Sequence, residues 1–231
     1  MKISFVIPAW NEEKLLGATI KSIQQSAQAY DLEIIVADDA SDDRTAEIAN
    51  GLGAKVVSCK NRQIGPTRND GARVATGSIL VFVDADTIIS ESVVRETVEA
   101  IKNGAVAGGS FPMFEGKLPL LAKVLTPTLR IIFKILRVAA GAYMFCTPET
   151  FESAGGFDPK FFAAEEVHLS NKLHKFGKYK TIKSRVVTSG RKFRTHSSLT
   201  ILVTLFLVTI PGIRNIKKRK NLWYGPRNSD A

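Results

Sequence analysis

A chain of 231 residues, 45% hydrophobic and 23% charged, is long enough to close one full core, and its composition excludes disordered and collagen-like polymers. Its two cysteines, Cys59 and Cys146, lack metal-ligand spacing and are too few for a disulfide framework, which leaves a reducing compartment as the default. The net charge of +10 gathers late: after Glu166 the only acidic residue is Asp230, a polarity that points to nucleic acid, an anionic membrane face or a phosphorylated substrate.

In chain order, the first residues reach Pro8 before any long apolar region develops, so no secretory signal is expected. Apolar runs at 3–7, 33–37, 54–58 and 79–83, rich in Ile, Val and Phe, read as buried strands. Helical patterns at about 12–29, 42–51, 65–76 and 90–103 alternate with them. Ser41 and Ser90 are the expected N-caps, and Gly51, Gly77 and Gly104 the expected stops. Such alternation implies right-handed crossovers and a mainly parallel sheet, an α/β fold.

Past this region a strand is expected at 105–111, then an apolar-basic helical stretch at 118–137 and a strand at 142–146. Thr147-Pro148-Glu149 has the cap-then-proline pattern of a new helix, Gly155-Gly156-Phe157-Asp158 reads as a turn, and a helix follows at 165–176. Without internal repeats or a low-complexity linker, the chain reads as one domain over 1–195. Its halves would be a nucleotide-binding part (about 1–110) and an acceptor part (111–195), followed by an apolar-basic tail at 196–231.

Ligands of open α/β sheets bind beyond the carboxyl ends of the strands. Asp38 and Asp39 end one expected strand, and Asp84-Ala85-Asp86 ends another. Two carboxylates in an Asp-x-Asp pair offer hard oxygen ligands for Mg²⁺ or Mn²⁺, ions that take remaining ligands from water and substrate phosphates. An isolated Asp-x-Asp also fits ordinary turn chemistry. Two acidic clusters on one sheet, joined by a later pair at Glu165-Glu166, favour a site for a diphosphate-bearing substrate.

Six motifs in order then resemble the family 2 glycosyltransferases, whose fold is the single-domain, Rossmann-like GT-A type. They are Val6-Ile7-Pro8-Ala9-Trp10-Asn11-Glu12-Glu13, Val36-Ala37-Asp38-Asp39 with Ser41-Asp42-Asp43-Arg44-Thr45, Thr67-Arg68-Asn69-Asp70-Gly71-Ala72, and Phe82-Val83-Asp84-Ala85-Asp86-Thr87. Gly155-Gly156-Phe157-Asp158 and Glu165-Glu166-Val167-His168 complete the set. The resemblance implies that Pro8, Ala9 and Glu12 line the nucleotide pocket and that Asp39 accepts a hydrogen bond from the base, with uracil favoured over guanine. It implies that Arg68 lies beside the nucleotide, that Asp84 and Asp86 serve the donor and its Mn²⁺ or Mg²⁺, and that His196 adds a late ligand. Glu165 and Glu166 occupy the place of a Glu-Asp pair whose second member is the catalytic base. Glu166 stands where Asp is usual, and no Gln-x-x-Arg-Trp motif of processive relatives occurs.

These roles form one chemistry: inverting, metal-dependent transfer of a single sugar from a nucleoside diphosphate sugar to an acceptor hydroxyl, with Glu166 removing its proton. Glu165 and Glu166 would equally serve to stabilise the start of their helix, where the dipole suits a carboxylate. A polyprenyl phosphate acceptor, already ionised, would need no base. A non-catalytic, membrane-associated nucleotide-binding protein is the non-enzyme alternative. Lys123, Arg130, Lys134 and Arg137 along the 118–137 stretch, the apolar run 199–210, the basic cluster 214–220 and Trp223-Tyr224 suggest an anionic membrane surface. The expected location is therefore cytoplasmic, peripheral on the inner membrane face, with a saccharide or lipid-linked acceptor. No motif supports nucleic-acid binding.

Overall fold

In the computed structural model, which describes residues 1–116, 141–162 and 165–191, the strands richest in Ile, Val and Phe stand at the centre of one sheet. They are β1 (Lys2–Ala9), β2 (Asp31–Asp38) and β4 (Ile79–Val83), and burial on both faces explains why each reads as a near-continuous apolar run. With β3 (Lys55–Ser58), β6 (Ala105–Gly109), β8 (Tyr143–Cys146) and β9 (Lys178–Thr181) they form a seven-stranded sheet in the order β3-β2-β1-β4-β8-β6-β9. Pairing is parallel except around β8, which runs antiparallel to both β4 and β6. A smaller sheet, β5-β10-β7, joins β5 (Thr87–Ile88), β10 (Val186–Ser189) and β7 (Pro112–Glu115).

Helices α1 (Leu16–Ser26), α2 (Thr45–Gly51), α3 (Ile64–Arg73), α4 (Glu91–Lys102), α5 (Pro148–Ser153) and α6 (Glu165–Leu173) complete the described residues. One core cluster packs Leu16, Ile20 and Ile23 of α1 and Val93, Val94 and Val98 of α4 on Ile3, Phe5, Ile7 and Val81. The opposite cluster sets Val6, Ile35 and Phe82 against Phe151, Phe157 and Leu169. Alternate residues of each central strand feed the two clusters, as the two-residue period requires.

The caps differ in detail from the sequence reading. Ser41 does not cap α2, because its hydroxyl accepts the Asn11 amide at 3.0 Å; Asp43 Oδ1 instead takes the Thr45 amide at 2.9 Å. Ser90 holds the cap position of α4, but its hydroxyl pairs with Ser92 Oγ at 2.9 Å. Gly51 lies within α2, and the left-handed turn falls on Gly53 (φ +75°). Gly104 (φ +79°) does end α4, and Thr147 caps α5 by accepting the Thr150 amide, with Pro148 in the first turn. The strand expected at 105–111 ends at Gly109, and the chain re-enters pairing as β7 in the smaller sheet. Both cysteines are free and buried. Among the described residues no helix is long and apolar enough to cross a membrane; the 118–137 stretch and everything from Lys192 on, His196 included, lie outside them.

Candidate active site

The sheet brings its acidic ends to one edge. Parallel pairing aligns the carboxyl ends of β1, β2 and β4, and Asp39 donates its amide to the Ala9 carbonyl at 2.8 Å. Because β8 is antiparallel, it begins at that same edge, with Tyr143 opposite Val83 and the Asp84 amide bonded to the Ala142 carbonyl. The end of β6 arrives there too, Gly109 facing Met144.

Arg68 of α3 is the hub of this edge. Its side chain is only 2% exposed; Nη2 donates to Asp84 Oδ1 at 2.7 Å and to the Gly141 carbonyl at 3.1 Å, and Nη1 donates to Glu165 Oε1 at 3.0 Å. The guanidinium also lies 5.2 Å from the Phe157 ring centroid, while Nε is buried without a hydrogen-bond partner. Burial disfavours the cation, yet Asp84, Glu165 and Glu166 outweigh it and hold Arg68 more firmly charged than a free arginine. Glu165, 5% exposed, moves the other way: burial first and then the charge of Glu166 raise it well above the usual carboxylate range, against the pull of Arg68. Glu166 lies beside Gly141, where any Cβ would fall 2.7 Å from Glu166 Oε1, so a residue larger than glycine would disturb that carboxylate.

A second buried knot surrounds Asp86. Arg191, just past β10, donates both terminal nitrogens to Glu12, at 2.8 and 2.5 Å, and its Nη2 lies 3.1 Å from Asp86 Oδ2. Thr188 donates to Asp86 Oδ1 at 3.1 Å, and the Ser189 amide donates to the Asp86 backbone carbonyl at the same distance. Arg191 is thereby buried rather than a solvated loop residue.

The remaining edge holds the loops after β1 and β2. Asp39 Oδ1 accepts the amides of Asn61 and Arg62 at 2.6 and 3.0 Å, and Oδ2 accepts that of Gln63 at 3.2 Å. Asp39 thus fixes the approach to α3, a structural duty the sequence did not suggest. Asp38 Oδ1 is buried there without a partner. Arg62 stacks 4.7 Å above the centroid of Trp10, while Asn11 (φ +52°) exchanges hydrogen bonds with Asp42, and the Glu12 amide donates to Thr45 Oγ1. Pro8 and Ala9 close β1 beside these loops.

Gln63, at the N-cap position of α3, and Asn69 within it join the halves. Gln63 Nε2 donates to the carbonyls of Pro159 and Phe161 at 2.7 and 2.9 Å, and the Asn69 side chain both donates to the Phe157 carbonyl and accepts the Phe157 amide. Gly156 (φ +62°) sits so close that a Cβ would fall 2.8 Å from Asn69 Oδ1. Asn69 stands inside the Thr67–Ala72 motif, whereas the only sequence signal for Gln63 was its position four residues ahead of Thr67. The His168 ring stacks on Phe161, and the His174 ring lies tilted against Tyr179.

Residues 4–152 match the family described as glycosyl transferase family 2. A dolichol-phosphate mannosyltransferase of Pyrococcus furiosus is 35% identical over 124 residues, which are 51% of this chain and 35% of the relative. A 4,4'-diaponeurosporenoate glycosyltransferase of Staphylococcus haemolyticus is 42% identical over 103 residues, 42% of this chain and 27% of that one. The chain thus spans about a third of the length of these curated relatives. Among solved structures, S. aureus TarS 1-349 in complex with UDP superposes with a TM-score of 0.66 at 17% identity, over 96% of this chain and 69% of that one. Glucosyl-3-phosphoglycerate synthase of Mycobacterium tuberculosis, in complex with Mn²⁺, UDP and glucosyl-3-phosphoglycerate, gives 0.59 at 22% identity, over 89% and 78%. The shared architecture is the GT-A fold.

Proposed function

The chain belongs to glycosyl transferase family 2, and on that premise we propose that it moves one sugar from a nucleoside diphosphate sugar to an acceptor with inversion at the anomeric carbon. The observation that carries this reading is the Arg68 bridge, which ties the Asp84-x-Asp86 turn of the donor half to the Glu165-Glu166 start of α6. One guanidinium holds the donor-side Asp84 and Glu165, the neighbour of Glu166, at one edge.

The residues present suit a divalent ion. Asp84 and Asp86 supply hard oxygen donors, and Asp84 keeps a quarter of its side chain exposed with Arg68 engaging Oδ1. Among the described residues no cluster of three or more potential ligands exists, the donor set suited to an ion that completes its shell from water and substrate phosphates rather than from a protein cage. When bound, Mn²⁺ or Mg²⁺ supplies neutralisation of the charge building on the leaving diphosphate, an effect of several kcal/mol.

The protein's own groups do the rest. Glu165 is spent on Arg68, so the carboxylate left to remove the acceptor proton is Glu166, beside Gly141. With base and leaving group on opposite faces of the sugar, displacement is direct and no covalent enzyme intermediate forms. Asp39, Trp10 and the loop after Pro8-Ala9 shape the nucleotide end, and Arg68 acts there as a positioning residue rather than a ligand contact. UDP is the favoured nucleotide, consistent with TarS, with GDP the alternative. The relatives named for dolichol phosphate and for 4,4'-diaponeurosporenoate favour a lipid-linked acceptor, met peripherally at an anionic membrane face.

The test is Glu166→Gln. It should keep nucleotide-sugar binding, read as a thermal shift with and without Mn²⁺, and lose about 10²–10⁴-fold in transfer to a hydroxyl. Near-normal transfer to a hydroxyl ends the role of Glu166. The second reading, a polyprenyl phosphate acceptor, rests on the dolichol-phosphate relative. It expects Glu166→Gln to transfer normally to a lipid phosphate, because that acceptor has no proton to lose.

A further inference from the structure

Asp86, the residue assigned to the divalent ion, is already neutralised from within. The Arg191 guanidinium lies 3.1 Å from Asp86 Oδ2 while gripping Glu12 through both terminal nitrogens. All three side chains are 10% exposed or less, so neither carboxylate relies on solvent for its counter-charge. We propose that Arg191 is a resident competitor for the divalent ion, holding Asp86 in place while no ion is bound and setting how strongly Mn²⁺ or Mg²⁺ binds.

Three features separate this role from that of an ordinary surface ion pair. First, the guanidinium serves two carboxylates from different strand ends, Glu12 after β1 and Asp86 after β4. Removing its charge leaves a dianionic pocket. Second, Asp86 has other holds besides Arg191: the Thr188 hydroxyl on its carboxylate and the Ser189 amide on its backbone carbonyl. Losing the cation therefore frees the carboxylate without dislodging it. Third, Arg191 stands just past β10 and its amide donates to the Ser189 hydroxyl at 3.3 Å, so its reach toward Asp86 is fixed by the strand that also pairs with β5. An ion approaching Asp86 meets a like charge in a poorly screened site. A guanidinium cannot deprotonate, so it can only share the carboxylate or swing away.

The inference rests on the reading of Asp86 as a metal ligand, and its test reads the metal alone. Mn²⁺ binding to the nucleotide-free, full-length protein is measured by titration of the free-ion electron paramagnetic resonance signal, for wild type, Arg191→Gln and Arg191→Lys. Arg191→Gln should bind Mn²⁺ about tenfold or more tightly, because a unit charge a few ångströms away has been removed. Arg191→Lys should fall between, since one ammonium cannot span both carboxylates. Equal or weaker Mn²⁺ binding in folded Arg191→Gln overturns the proposal, as does failure of all three forms to bind the ion. If Arg191→Gln does not fold, Arg191→Lys decides, and binding no tighter than wild type is the overturning result. Nucleotide-sugar binding with no Mn²⁺ binding in any of the three forms would sink this inference and leave the donor reading standing. A wild type that binds Mn²⁺ but no nucleotide sugar would do the reverse.

Discussion

Replacing Arg68 by methionine keeps most of its volume and removes its charge, leaving Asp84 and Glu165 to face each other's surroundings unaided. Asp84 is 25% exposed and can recover water, so its share of the loss is small. Glu165 is 5% exposed and cannot, so it dominates. Breaking a buried pair by deleting one partner costs about 3–5 kcal/mol, which in a chain this long lowers the melting midpoint by about 6–20 °C. The loss should depend on pH in a definite sense. Glu165 is already raised by burial and by Glu166, and losing Arg68 removes the largest influence that lowers it. A carboxyl raised in the folded state lends stability below its unfolded value and loses it as pH rises through the folded value, so the deficit should narrow from about pH 7.5 to about pH 5. The double variant Arg68→Met/Glu165→Leu replaces both partners by apolar groups and should recover most of the loss. Denaturant unfolding at both pH values is the assay. A single variant within about 1 kcal/mol of wild type, or a double variant no better than the single, refutes the argument.

Gly108→Ala should cost about 3 kcal/mol or more, read by denaturant midpoint, because its Cβ would fall 2.0 Å from the Lys180 carbonyl and 2.3 Å from Phe145 Cζ, forcing β9 off β6. A wild-type midpoint would show that β6 and β9 separate freely. Asp39→Ala should lose about 1–3 kcal/mol by releasing the amides of Asn61, Arg62 and Gln63, with faster amide exchange confined to 61–64. Exchange unchanged at those amides would remove Asp39 from that duty. Burial alone would raise the Glu33 carboxyl, but hydrogen bonds from Ser4, Thr76 and Lys2 bring it from an ordinary 4.5 to about 2. Its contribution is present above pH 4.5 and drains away as pH falls toward 2, so Glu33→Gln should flatten the acid limb of a stability profile taken between those values. An acid limb of unchanged steepness would show that other carboxyls set it.

The legible parts of this fold are those where one physical requirement dominates. Burial on both faces leaves Ile79–Val83 no choice but an unbroken apolar run, and that strand was located to the residue. Thr147-Pro148 marked α5 because a cap and a fixed φ act locally. Strands β5, β7, β9 and β10 gave no such signal. They are short, one-sided and stabilised by partners far away in sequence, as Thr87 is by Thr188 through a 3.1 Å hydrogen bond. The acidic strand ends were readable because open sheets place ligands there, but their counter-ions were not. The resemblance set Arg68 beside the nucleotide, and nothing in the sequence pointed to Asp84, Glu165 and the Gly141 carbonyl as the partners of its guanidinium. Nothing in the sequence paired Arg191 with Glu12 and Asp86. Periodicity reports which face a side chain takes; it carries no information about which distant carboxylate completes it.

The contact between Glu12 and Arg191 joins positions 179 residues apart. Synthesis proceeds from the other end, so Glu12 and Asp86 must wait as unneutralised anions until β10 and the residue after it have been made and have folded back. An incomplete nascent chain would therefore hold the acidic half of its pocket without the cation that tempers it, and closure of that pocket would report that translation has passed residue 191.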